Sequence, residues 1–284
     1  MTDHPQHELP HMPPKPQGEL FVSQKMNKID SQVTCLGMTF KDDTERRAYF
    51  ADLLRDKLKD PEFRSIEGFP IGEDEDILAL SDPPYYTACP NPWVNNFIEQ
   101  WEAEKPQKPE GWTYHREPFS ADVSEGKYHP IYRLHPYPTK VPHRAIMRYI
   151  LHYTEPGDII FDGFCGTGMT GVAAQMCVNK KAIEEMGYKV DVDGIILEKH
   201  EDEKGNIQWE QFSKLGKRNV ILNDLSPSAT YISKTFNSPC QVDRFRKKAT
   251  SIYREVRREY EWMFKTKHND HEYGTINYIA WSDV

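Results

Sequence analysis

Long hydrophobic runs are missing from this sequence. No stretch approaches the ~18 unbroken apolar residues of a membrane-spanning helix. The opening MTDHPQHELPHMPPKPQGEL has neither the basic start nor the apolar core of a secretory signal. Cysteine is scarce too. Cys35, Cys89, Cys165, Cys177 and Cys240 are five in number and widely spaced, with no C-x-x-C pair, so neither a zinc site nor a disulfide framework is indicated. That usage fits a reducing cytoplasm. Positive charge is in deficit, with 36 Lys and Arg against 44 Asp and Glu. The net charge of -8 argues mildly against a protein coated in nucleic acid, while leaving room for a local basic face.

The 284 residues are enough for one large α/β domain or two small ones. Residues 1–20 are rich in Pro and His with almost no periodic apolar positions, and read as a disordered tail. Residues 43–59 place Tyr49, Leu53, Leu54 and Leu58 at helical spacing. The run Ile77 to Leu80 predicts a short buried strand ending at Asp82, and residues 91–105 a helix with Trp93, Phe97 and Trp101 on one face. Residues 105–140 read as one long irregular loop, a length that is usually functional or disordered. A better punctuated unit follows: helix VPHRAIMRYILHYT, turn EPGD, strand IIFD, glycine-rich turn GFCGTGMTG, then a new helix from VAAQMCV. Residues 187–217 are polar and look like an insertion, a small hairpin. NVILND is the next buried strand, 244–267 one long helix, and 275–281 a last strand.

Gly166, Gly168 and Gly171 match G-x-G-x-x-G between a strand and a helix. Glycines there let the backbone approach a ligand closely, and helix N-terminal amides favour its anionic group. These residues alone leave a nicotinamide dinucleotide, S-adenosylmethionine and a ligand-free turn all open. A ribose-binding acid belongs at the end of the second strand. Asp191 has the dinucleotide spacing but lies in the polar YKVDVDG. Asp224 closes the better strand NVIL, and the insertion explains its lateness.

Two motifs narrow the choice. Phe164-x-Gly166-x-Gly168 stands in FDGFCGTG, and Asp82-Pro83-Pro84-Tyr85 in SDPPYY. With these, and with HPYPTKVPHRAIMRYILHYTEPGDIIFDGFCGTGMTG, the sequence resembles the S-adenosylmethionine-dependent DNA amino-methyltransferases that modify adenine N6 or cytosine N4. The order, D-P-P-Y before F-x-G-x-G, is that of the β-type members. Gly163 replaces the family's usual Pro and Thr167 its frequent Ser. The resemblance covers about 77–90 and 135–230 and implies an α/β fold with a Rossmann-like methyltransferase sheet. It implies a catalytic domain over 21–284, with 187–217 as the insertion. It also implies catalytic roles for Asp82, Pro83, Pro84 and Tyr85. S-adenosyl-L-methionine would be bound by Phe161, Asp162, Gly163, Phe164, Cys165, Gly166, Thr167, Gly168 and Asp224. Only four strands are countable, 77–81, 158–162, 219–223 and 275–281, and 76 positions separate Tyr85 from Phe161. The sheet is therefore expected to be incomplete here, the remaining strands and the target-recognition region following residue 284 or coming from a partner subunit.

The chemistry gives these residues a reason. An exocyclic amino nitrogen is a poor nucleophile because its lone pair is delocalised into the ring. Two fixed acceptors, the Asp82 carboxylate and the Pro83 carbonyl oxygen, can hold its protons and favour a more tetrahedral nitrogen. The prolines lock that elbow without spare amide donors. Tyr85 can stack on a flipped base, a contact worth ~1–3 kcal/mol. Asp82 tilts the reading toward adenine, because the resembling cytosine enzymes often carry Ser there, and away from the glutamine methyltransferases with their N-P-P-Y. RNA as substrate, or a catalytically incomplete module that binds cofactor or nucleic acid, stays open. A role in restriction and modification or phage defence would rest on analogy alone. Lys140 and His143 lie where the family block encloses the cofactor, but a solvated loop accounts for them equally. Over 244–267, nine Lys and Arg face three Glu, a surface for phosphates or, more commonly, for solvent.

Overall fold

The computed structural model describes residues 32–202, 204–267 and 272–276. The expected tail at 1–20 and most of the expected last strand lie outside them. Two compact units are present, Met1–Asn237 and Ser238–Val284.

The first unit opens with a hairpin of β1 (Val33–Cys35) and β2 (Met38–Phe40), followed by α1 (Asp43–Lys57) and α2 (Pro61–Arg64). Asp42 caps α1 by accepting from the Glu45 amide at 2.8 Å, satisfying one of the orphan donors of the first turn. The face that α1 buries runs Arg46, Phe50 and Leu54 and continues to Leu58, four residues apart each time. Tyr49 and Leu53 are exposed. The stripe is thus rotated from the one expected, and it includes an arginine.

The expected strand at 77–81 is a helix, α3 (Asp74–Leu80). A short apolar run does not by itself separate a buried strand from a buried helical turn. Here Asp74, Glu75 and Asp76 fill the first turn, where the helix dipole favours acids. Ile77 and Leu78 then pack into a cluster with Leu54, Leu58 and Phe63. After the Asp82–Tyr86 loop comes α4 (Val94–Glu104). Phe97 and Trp101 form a row on it, with ring centroids 5.6 Å apart, and Trp93 meets Phe50 edge-on at 5.3 Å.

Residues 105–140 are irregular apart from α5 (Pro130–Arg133), yet they are fastened to α6 (His143–Tyr153). The Phe119 amide donates to the Tyr153 hydroxyl at 2.9 Å, the Phe119 ring stacks on His152 at 4.6 Å, and Arg148 pairs with Glu125. Next come β3 (Ile159–Asp162), α7 (Met169–Met176), α8 (Lys180–Glu184), β4 (Lys189–Val190), β5 (Ile195–Glu201) and β6 (Ile207–Lys214). The last elements of this unit are β7 (Asn219–Leu222) and α9 (Pro227–Asn237). β3 and β7 pair in parallel, Ile159 opposite Asn219 and Asp162 opposite Leu222, which fits the strand–turn–helix reading. The insertion is a three-stranded antiparallel sheet, β4-β5-β6, one strand more than a hairpin. The main core joins Met147, Ile150 and Leu151 of α6, Ala173 and Ala174 of α7, and Ile196 of β5.

In the second unit, α10 (Val242–Tyr260) gives way to a 3-10 turn, Glu261–Phe264, and then β8 (Lys265–Lys267) and β9 (Tyr273–Thr275), which pair antiparallel. The expected helix over 244–267 therefore ends seven residues early. The chain is mixed α/β with small sheets. Of the four strands expected, β3 and β7 pair in parallel, 77–80 is helical, and 275–281 lies largely outside the described residues.

Candidate active site

The glycine turn is built by the β3–β7 pair. The ladder runs past the strand ends, the Asn223 amide donating to Asp162 O and the Cys165 amide to Asn223 O, both at 2.9 Å. Gly166 and Gly168 hold φ of +51° and +79°, values that L side chains avoid. Space demands glycine as well. A Cβ on Gly168 would lie 2.2 Å from Ser233 Oγ, and one on Gly166 3.0 Å from the Tyr137 ring. Asp162 braces the turn, accepting from the Phe164 amide at 3.2 Å and the Thr170 hydroxyl at 2.5 Å. Asp224 braces it from the other strand, accepting from the Gly166 amide and the Ser226 amide, each at 2.9 Å.

A cavity of about 100 Å³ lies against this turn. Asp162, Phe164, Cys165, Gly166, Thr167, Met169 and Thr170 line one side, and Tyr137, Lys140 and Val141 of the upstream loop the other. Thr167 is 2% exposed and its hydroxyl has no hydrogen-bond partner among the described residues. Phe161 and Phe164 are exposed at 70% and 87%. Burial holds the Cys165 thiol up at about 11, so it stays protonated. Lys140 is pinned, its ammonium donating to the carbonyls of Tyr132 and His135, and burial lowers its pKa. His143 is not at the cavity. It is buried beside His129, ring centroids 4.6 Å apart, and burial pushes it down to about 4, with His129 and Arg144 adding. Of the nine residues assigned to the cofactor, five line the cavity. Phe161, Gly163, Gly168 and Asp224 surround the turn instead.

The Asp82–Tyr86 loop leaves a helix, not a strand. Ser81 ties both ends of it, donating to Ile77 O at 2.6 Å and accepting from the Ala88 amide at 2.9 Å. Asp82 and Tyr86 exchange both backbone hydrogen bonds, closing a tight elbow around the buried Pro83 and Pro84. Both acceptors expected to hold an amino group are engaged by one side chain, Arg46. Its Nη1 donates to Pro83 O at 2.5 Å and its Nη2 to Asp82 Oδ1 at 2.9 Å. The same guanidinium lies 4.8 Å from the centre of the Tyr85 ring, and Phe97 lies 5.8 Å from that ring. Burial alone would raise the Asp82 carboxyl. Arg46 first, then Lys234 and Arg47, hold it below the ordinary aspartate value. Burial and then Cys35 push the Tyr85 hydroxyl well up, so it stays neutral.

One helix touches both motifs. Lys234 of α9 places Nζ 3.5 Å from Asp82 Oδ2, and Thr230 meets the Tyr86 hydroxyl at 3.4 Å. On the same helix Ser233 meets Cys165 Sγ at 3.9 Å, and Asn237 donates to Gly168 O at 3.1 Å. Sequence reading missed Arg46, Tyr137, Ser233, Lys234 and Asn237. A signal existed only for Arg46, a charge at the head of a four-residue apolar series.

A family model described as DNA methylase, covering N6 and N4 enzymes, matches residues 13–204, about two-thirds of the chain, and takes in both motifs. Comparison with curated proteins and with solved structures returned no match. A D-P-P-Y elbow and a glycine turn held by one helix, within a match of this extent, give the assignment: the chain belongs to the N6/N4 DNA methylase family.

Proposed function

We propose that the protein transfers a methyl group from S-adenosylmethionine to adenine N6 in DNA, with Asp82 and Pro83 receiving the amino group. The observation that carries this reading is that α9 joins the D-P-P-Y elbow to the glycine turn, Lys234 lying 3.5 Å from Asp82 Oδ2 while Asn237 donates to Gly168 O at 3.1 Å. The two acceptors for the amino group thus stand against the same helix as the turn proposed for the cofactor. The family's usual choice of Asp for adenine supports N6 over N4.

The turn suits the cofactor in its donor set. Thr167 has a buried hydroxyl unpartnered among the described residues, the α7 N-terminus offers amides to a carboxylate, and Asp224 keeps spare lone pairs for ribose hydroxyls. Typical ligand sites measure ~300–1,000 Å³, so the cavity of about 100 Å³ takes only part of the molecule. The exposed Phe161 and Phe164 rings would flank the rest. When bound, the cofactor supplies an electrophilic methyl on a sulfonium. The protein's task is positioning, since alignment of reactants alone lowers such barriers greatly.

Transfer of labelled methyl onto duplex DNA, with RNA as competitor, tests this reading. Asp82→Ala is expected to abolish transfer and leave S-adenosylhomocysteine binding nearly intact; equal loss of both would make Asp82 structural. A binding module without transfer is the second reading, favoured by the fact that Arg46 engages both acceptors. No transfer by the wild-type chain, with cofactor still bound, would select it.

A further inference from the structure

We propose that Arg46 is the positioning residue of this site: its guanidinium fork sets the Asp82 carboxylate and the Pro83 carbonyl oxygen in the arrangement that receives the target amino group. The proposal rests on the amino-methyltransferase reading and adds a residue to it.

The geometry is specific. Nη1 and Nη2 reach two different acceptors on consecutive residues, 36 and 37 positions away in the chain. Nε and Nη2 are held from behind by Asp43 Oδ1, at 3.0 and 2.8 Å. The guanidinium also faces the Tyr85 ring. One side chain therefore fixes the carboxylate, the carbonyl and the ring together. Arginine does this where lysine does not, because its donors form a rigid plane.

Arg46 is 1% exposed. Burying such a charge costs desolvation that a well-packed apolar side chain would avoid, so stability alone is a weak reason for it. Placement is a stronger one. Arg46 leaves acceptor capacity unused, since a carbonyl oxygen has two lone pairs and a carboxylate about four acceptor sites. Among the described residues, the charged group nearest Asp82 Oδ2 is Lys234 Nζ, at 3.5 Å. The charged groups facing Asp82 are Arg46 and Arg47 from α1 and Lys234 from α9; the one acid close behind, Asp43, is itself paired with Arg46. Every direct neighbour thus favours the ionised carboxylate, the form that accepts and does not donate. Its lowered pKa agrees.

The experiment uses the full chain with Arg46→Gln and Arg46→Lys. Methyl transfer to duplex DNA is measured against pH, and the Asp82 carboxyl is titrated by carbon-13 NMR, assigned through Asp82→Asn. In Arg46→Gln the acid limb of kcat/KM and the Asp82 titration should both move up by about one pH unit or more. Its kcat near neutral pH should fall roughly tenfold to a hundredfold, with S-adenosylhomocysteine affinity unchanged. Arg46→Lys keeps the charge but not the fork, so the titration should return toward wild type while kcat stays low. Should Arg46→Gln fail to fold, Arg46→Lys decides alone. An unmoved acid limb in Arg46→Gln, wild-type kcat in Arg46→Lys, or a rise in activity in either would overturn the proposal, the last by making Arg46 a plug. A wild-type chain inactive at every pH would sink the methyltransferase reading instead, while the carboxyl titration would still report whether Arg46 governs Asp82.

Discussion

At the scale of single residues, the glycine turn shows how one atom decides a site. Gly168 has a positive φ and no room for a methyl group, since Ser233 Oγ and Asn237 Nδ2 would lie 2.2 and 2.7 Å from a Cβ. Gly187 also has a positive φ, +93°, but nothing within 4 Å. Gly168→Ala should therefore destabilise more than Gly187→Ala, which meets backbone strain of about 1–2 kcal/mol alone. Urea midpoints for the two variants check this; equal shifts would mean that α9 gives way at no cost. Asp224 sits on the other side of the same turn, with both oxygens engaged by backbone amides. Asp224→Ala should weaken S-adenosylhomocysteine binding by ~1.5–3 kcal/mol, the range for hydrogen bonds to a charged group. Calorimetry is the readout, with NAD expected not to bind. Asp191 variants should bind as wild type does, because Asp191 only orders its own β-turn, accepting from the Asp193 and Ile195 amides.

At the scale of elements, α9 joins the two loops and α6 carries the upstream segment on which the cavity depends. The first residue of α6, His143, is 2% exposed, and its Nδ1 has no hydrogen-bond partner among the described residues. Its folded pKa, about 4, lies below the ordinary 6.5. The sign follows from proton linkage. Between those values the unfolded chain binds a proton that the fold excludes, so His143 favours the fold above pH 6.5 and that contribution drains away as pH falls toward 4. The expected loss is on the order of 2–3 kcal/mol. Denaturant midpoints measured from pH 7 to 4 should fall in the wild type and fall less in His143→Gln. Parallel curves would put the acid sensitivity elsewhere. Burial lowers His129 as well, so part of the slope should survive the substitution.

At the scale of the whole molecule, the parallel sheet is thin. Among the described residues β3 and β7 pair only with each other, so each presents a free edge, and free edges invite pairing with another chain. The chain by itself is expected to self-associate and to methylate weakly. Sedimentation velocity at rising concentration tests the first point. A monodisperse, fully active monomer would show that two parallel strands suffice. In the second unit, no residue of α10 is buried, and its seven Lys and Arg have no ion-pair partner among the described residues. A helix like this is charged enough for phosphates or for water alone.

The sequence by itself determined the local motifs. Asp82-Pro83-Pro84-Tyr85, the turn from Gly163 to Gly168 and the acid at 224 were legible because each lies in a short contiguous stretch, with glycine where φ is positive at 166 and 168. The β3–turn–α7 unit and β7 were legible for the same reason, through apolar runs ended by Gly and Asp. Tertiary structure alone decided the rest. Whether Ile77 to Leu80 became strand or helix depended on the acids before it and on Leu54 and Leu58 waiting to bury it. Arg46, Ser233 and Lys234 carry no motif, and their meaning comes from partners 36 to 152 positions away. Chain neighbours dictate conformation through steric limits on φ and ψ. A guanidinium at a carboxylate, or a helix joining two loops, is dictated by packing between distant segments, and no short string encodes it.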